Sequence, residues 1–152
     1  MVIQRWQSVY LLIAAILMAC YAFFPIAGTD SIELSLSGCE YVSSDVSNVV
    51  DADVLQEVLM WPFLSLTILI SALSLVSIFK FKNLKLQKTL CSVCIVLTVV
   101  LMASLVVLLY GQTDINFYYS NLLPLLAVVA YVLAIRGISK DQKTLSSYDR
   151  LR

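Results

Sequence analysis

Histidine is absent from this chain, and with it the commonest metal ligand and the usual proton shuttle at neutral pH. Charge is scarce too. Lys, Arg, Asp and Glu make up 13% of the residues and apolar types 61%, whereas a soluble domain is nearer half apolar. That balance excludes an ordinary water-soluble domain and makes the chain an integral membrane protein. No nucleophile stands beside a base and no apolar run holds paired carboxylates, so no enzyme activity, cofactor or metal is expected. No nucleic-acid partner is expected either.

Cysteine is too sparse to frame a fold: Cys20 lies in the first apolar run, Cys39 in an acidic stretch, and Cys91 and Cys94 in the third run. Only Cys39 would meet an oxidising compartment, and alone it cannot close an intrachain disulfide. Cys91-x-x-Cys94 has a redox or metal reading, but small core-packing residues on the reducing side explain it better.

The ten basic and ten acidic residues cancel in number but not in place. Arg5 lies at the start, Lys80, Lys82, Lys85 and Lys88 form a hinge, and Arg136, Lys140, Lys143, Arg150 and Arg152 close the chain. Asp30, Glu33, Glu40, Asp45, Asp51, Asp53 and Glu57 crowd a stretch without one basic residue. A Lys at the centre of a membrane helix costs about 2.5–3.5 kcal/mol, so the hinge must lie in water. Lys and Arg in short loops near the bilayer mark the cytoplasmic side. The expected fold class is therefore an all-α membrane protein. It is a four-helix transmembrane bundle with both termini cytoplasmic.

One membrane domain, residues 1–152, is expected, with spans at about 9–27, 61–79, 89–110 and 122–138. A 19-residue run such as 9–27 rises roughly 28 Å, enough to cross the hydrocarbon. Arg5 and Trp6 would anchor its inner end. Arg5 followed by an apolar stretch and Leu17-Met18-Ala19-Cys20 also resembles a secretory or lipoprotein signal. The apolar Tyr21-Ala22-Phe23-Phe24 after it favours an uncleaved helix ending near Pro25 and Gly28. Residues 28–60 form the outer loop, 80–88 the cytoplasmic hinge and 139–152 the cytoplasmic tail.

In the outer loop, Ile32, Leu34 and Leu36 alternate with Glu33, Ser35 and Ser37, predicting a strand that Ser37-Gly38 turns into a hairpin returning over 40–42. Asp53 with Gln56 resembles a capping box opening a short helix. Asp51-x-Asp53 and Glu57 lack the glycine and spacing of a calcium loop. Pro62 suits the first turn of the second span. Thr67, Ser71, Ser74 and Ser77 share one face of that span, where hydroxyls serve helix packing more often than a polar pathway. Ala15 and Ala19 in the first span, and Ala127, Ala130, Ala134 and Gly137 in the fourth, are close-packing candidates. Arg5-x-Gln7 and Lys85-x-Gln87 echo each other at the inner starts of spans one and three.

Three polar motifs carry a family resemblance: Gln4-Arg5-Trp6-Gln7-Ser8-Val9-Tyr10-Leu11-Leu12, then Phe81-Lys82-Asn83-Leu84-Lys85-Leu86-Gln87, and finally Lys140-Asp141-Gln142 with Ser147-Tyr148-Asp149-Arg150-Leu151-Arg152. On these the chain resembles the bacterial family named domain of unknown function 4293 over almost its whole length. The resemblance implies a four-span inner-membrane protein of a Gram-negative bacterium and implies no activity.

Three functions compete. A membrane enzyme of the disulfide-forming quinone reductase kind would need outward cysteine pairs, and Cys39 is single. A small transporter or channel for a neutral solute could use the hydroxyl face, but the spans carry one ionisable residue, Arg136. A non-catalytic accessory or scaffold subunit of a membrane assembly is preferred, because the distinctive sequence lies outside the hydrocarbon. Its candidate docking residues are Arg5, Gln7, Lys82, Gln87, Lys140, Asp141, Asp149, Arg150 and Arg152. The expected partners are the lipid bilayer, with anionic head groups at the basic rim, and another membrane protein or a second copy. Head-group attraction alone is worth about 1 kcal/mol per basic residue.

Overall fold

The computed structural model describes residues 3–28, 32–41, 61–80, 83–109 and 116–149. In chain order these form α1 (Ile3–Phe23), β1 (Pro25–Gly28), β2 (Ile32–Ser35), β3 (Cys39–Tyr41), α2 (Trp61–Phe79), α3 (Leu84–Leu109), β4 (Asn116–Phe117), a 3-10 turn (Tyr119–Asn121) and α4 (Leu122–Asp149). The short helix expected from Asp53 falls outside the described residues. All four long helices are long and apolar enough to cross a membrane. Helices suit that solvent because each satisfies its own backbone, which hydrocarbon cannot do.

α1 begins at Ile3, six residues before the expected span, and three further helix ends differ, each for a local reason. α1 stops at Phe23 instead of reaching residue 27. Phe24 N–H makes the last helical bond, to Cys20 O, and Pro25 has no N–H and disfavours helical backbone before it. Residues 25–28 become a strand instead. α3 begins at Leu84, so residues 84–88 belong to a helix and not to the hinge. A tight turn, with Asn83 N–H donating to Lys80 O at 3.1 Å, delivers the chain into it. α4 runs past residue 138 to Asp149. Nothing in 139–148 breaks a helix, and Lys140, Gln142, Lys143 and Leu145 are good helix formers.

The helices form a closed ring. α1 packs on α4 and α2, and α3 packs on α2 and α4. Buried positions step by four and three in every helix: 7, 11, 14, 18 and 21 in α1, 87, 91, 94, 98 and 101 in α3, 67, 70, 74 and 77 in α2, and 124, 127, 131 and 134 in α4. This is the seam of a left-handed bundle. The α3 set repeats the α1 set eighty positions later, which makes Gln7 and Gln87 structural counterparts.

The interior is built from small and hydroxyl-bearing side chains around a few large ones. Ala14, Ala15, Ala127, Ala130 and Ala134 are buried with Leu11, Met18, Tyr21, Ile70 and Tyr131. Ala19, expected among the packing alanines, points outward. Thr67, Ser74 and Thr98 are fully buried, and each hydroxyl donates to a carbonyl of its own helix at 2.7–2.8 Å. Ser71 Oγ crosses to Ala15 O at 3.4 Å. The hydroxyls of this α2 face are thus bonded to helix carbonyls.

The outer surface is apolar, with Leu12, Ile16, Ile68, Val96, Val100, Leu125 and Val129 exposed along the helices. Aromatic rings mark its limits. Trp6 and Phe79 are exposed at one end, and Phe23, Phe24, Trp61 and Tyr119 at the other. Along α2, Trp61 and Phe79 stand roughly 27 Å apart, close to a hydrocarbon thickness of about 30 Å. Such belts sit at the head-group level.

One bundle end carries a four-stranded sheet in the order β3-β2-β1-β4. The hairpin expected from the alternation is there as β2 and β3, with Ile32 opposite Tyr41 and Leu34 opposite Cys39. It does not stand alone. β1 pairs antiparallel with β2, and β4, from the other outer connection, pairs with β1 through Ala27–Phe117 and Gly28–Asn116. A lone hairpin is marginal in water, and these two extra strands with a buried face formed by Ile26, Ala27, Leu34 and Leu36 supply what it lacks.

Candidate functional site

The described parts of the distinctive polar motifs lie at the end opposite the sheet, where α1 and α3 begin, α2 ends, and α4 leaves the apolar layer. Two contacts register the helices there. Ser71 reaches Ala15, and Ser77 Oγ lies 3.8 Å from Cys91 Sγ. Counting outward at 1.5 Å per residue, Gln7 and Gln87 fall within roughly 3 Å of one height, at the level of the exposed Trp6 and Phe79.

Gln7 is 2% exposed, and its Nε2 donates to Asp141 Oδ2. Gly137 lies one turn before Asp141 on α4 and makes this contact feasible. A Cβ on Gly137 would come 3.0 Å from Gln7 Cγ, a tight contact, so glycine leaves room for the Gln7 side chain against α4. Gln87 is also 2% exposed, and its Oε1 is buried with no hydrogen-bond partner among the described residues. Such an atom costs about 1–3 kcal/mol if nothing fills it.

Of the candidate docking residues, the structure brings Gln7 and Asp141 into contact and buries Gln87 at the same height. Lys140 is exposed on α4. Arg5 lies in α1 and Asp149 ends α4, with their side chains outside the described set. Lys82, Arg150 and Arg152 fall outside the described residues. A docking rim would hold its glutamines in solvent; here both point inward. Each stands four residues before a buried residue, Leu11 or Cys91, which puts it on the inner face once that face is known.

Sequence reasoning missed a second cluster, deeper in the bundle. Ser74 and Tyr131 join hydroxyls across the axis, and the Cys94 thiol lies beside both. Cys91 and Cys94 are buried on the inner face of α3. Among the described residues no three His, Cys, Asp or Glu side chains gather as a metal site.

Four apolar spanning helices around a packed interior, limited by aromatic rings, define a small multi-pass helical membrane protein. The chain belongs to the family described as "Domain of unknown function (DUF4293)", which it matches over residues 3–151, nearly its whole length. No curated protein and no solved structure matches it.

Proposed function

We propose that this protein is a non-catalytic accessory or scaffold subunit of an assembly in a bacterial inner membrane, with both termini and the basic hinge in the cytoplasm. The sidedness rests on the excess of Lys and Arg at the hinge end and the acidic stretch at the other. The observation that carries the functional reading is the length of α4. Its 28 residues rise roughly 42 Å, about 12 Å more than the hydrocarbon needs. The excess projects from the hinge end as a helix whose base Gln7 holds through Asp141. A helix fixed at its root presents Lys140 and Asp141 in a set geometry, so a partner binding there orders little chain. Both charge signs stand on it, which suits a protein partner better than anionic lipid alone. A transporter for a neutral solute is the weaker reading, because the buried hydroxyls are occupied by helix carbonyls.

Purification of the tagged protein in mild detergent is expected to bring down a membrane partner or a second copy. Replacing Asp149, Arg150 and Arg152 with Ala is expected to leave insertion unchanged and remove that partner. Retention of every partner by the triple variant overturns the docking reading. Sidedness is tested separately by thiol labelling. Cys39 should react with an impermeant reagent added from outside, and a Cys replacing Asn83 should not.

A further inference from the structure

We propose that the cleft between α3 and α4 at the sheet end binds one phospholipid of the adjoining leaflet, with a net-neutral, amine-bearing head group and an acyl chain laid along α3. The cleft lies apart from the α4 extension, so the inference stands whether or not a partner docks there.

The cleft is open because the side chains that face it are short. Its volume is about 470 Å³ and its walls are almost wholly apolar. Val99, Ala103 and Val106 on α3 and Val128 on α4 are too short to fill it. Met102 is longer, but its Sδ accepts from the Tyr21 hydroxyl at 3.9 Å and so is drawn inward. The Thr98 hydroxyl already donates to Cys94 O, which leaves little to hold water.

The first hairpin shows that the opening is particular to this place. Buried positions in α3 repeat those of α1 eighty residues later, and those of α4 repeat those of α2 fifty-seven residues later. Ala22 and Ile26, eighty positions before Met102 and Val106, are 5% and 2% exposed, whereas Val106 is 48% exposed. Ser71, the counterpart of Val128, reaches across to Ala15 O on α1. The same arrangement is closed in one hairpin and open in the other.

Length, width and charge select the occupant. From Thr98 to Val107, where the apolar span of α3 ends, the cleft rises roughly 13 Å. That is about one leaflet of a hydrocarbon layer roughly 30 Å thick, which suits an acyl chain, whereas a partner's helix calls for a seam along the whole layer. Spread over that length, the volume gives a cross-section on the order of 35 Å². A helix about 10 Å across needs roughly 80 Å², while hydrocarbon chains pack at about 4 Å between carbons. The two connections at this end, residues 25–60 and 110–121, contain acids and no Lys or Arg. An anionic head group finds no counter-charge there, and an ammonium does.

The test is the lipid held by the full chain purified in mild detergent, read by extraction and by native mass spectrometry. The wild type is expected to carry about one net-neutral, amine-headed phospholipid through exchange into lipid-free detergent. Ala103→Phe places a ring in the cleft from an exposed position and is expected to lower that lipid to near zero. Ile16→Phe adds a ring on the exposed face of α1 and is expected to keep it. If Ala103→Phe does not accumulate, Val107→Trp, at the exposed mouth of the cleft, takes its place. A wild type that retains no lipid, or retains only anionic lipid, overturns the proposal. So does lipid retained by the cleft variant, equal loss in Ile16→Phe, or release of a membrane protein in place of a lipid.

Discussion

The two ends of this bundle solve the same problem in opposite ways. At the sheet end, hydrogen bonds tie strand, turn and helices together among the described residues. Asn121 Nδ2 donates to Ile26 O at 2.8 Å and to Tyr118 O at 3.1 Å, and its Oδ1 accepts from the Tyr21 hydroxyl at 3.1 Å. Tyr118 N–H donates to the same Ile26 O, and Ser120 Oγ to Pro25 O. A sheet edge, a helix start and a helix end are thereby fastened to one another. At the hinge end the Gln7–Asp141 bond joins the first and last helices, and the buried Gln87 oxygen has no hydrogen-bond partner among the described residues. The difference teaches where to look for interactions. A closed end contributes to stability, and an end with unmet groups is where a partner can still gain free energy.

Substitutions can break or sharpen this contrast. The largest effect is expected from Asn121→Leu, which strips partners from Ile26 O and the Tyr21 hydroxyl at once and should cost about 3 kcal/mol. Reversible unfolding in mixed detergent measures it. A cost below that of any hinge-end change would erase the asymmetry. Gly137→Leu comes next, at about 2 kcal/mol, because the new side chain overlaps Gln7 and forces α4 away from α1. The same titration reads it, and a shift in the fluorescence of Trp6, adjacent to Gln7, should accompany it.

Gln7→Leu is expected to cost about 1 kcal/mol, since the partly exposed Asp141 can turn to water. A loss equal to that of Asn121→Leu would show that the hinge end is as tightly built as the sheet end. The smallest effect is expected from Tyr131→Phe, about 0.6 kcal/mol, the usual size of a polar contact between membrane helices. Ser74 keeps its bond to Ile70 O in that variant, so no buried group is stranded. A larger loss would make the Ser74–Tyr131 pair a third fastening in mid-membrane.

Much of this was readable before any coordinates. The lysines of the hinge could not lie in hydrocarbon, and that alone paired α2 with α3. The alternation over 32–36 announced a strand, and the polar motifs announced the family. The candidate site was half legible: its residues were named, but as an exposed rim. Whether Gln7 faced water or the bundle depended on where Gly137 and Asp141 arrived, 130 or more positions later. No local pattern encodes that distance. The recruitment of residues 116–117 into the sheet was invisible for the same reason, since two residues carry no periodicity.

Sequence by itself determined that the chain has four runs long and apolar enough to cross a membrane, because transfer of charge and apolar surface between water and lipid is a local property summed along each run. Tertiary structure alone decided which face of each helix is inside. The spanning stretch of each helix is apolar on nearly every face, so hydropathy cannot choose a face in a solvent as oily as the core. The choice falls to shape and to hydrogen bonds: to alanines that let α1 approach α4, to hydroxyls that turn inward without cost, and to two glutamines that share one height only once four helices have closed into a ring.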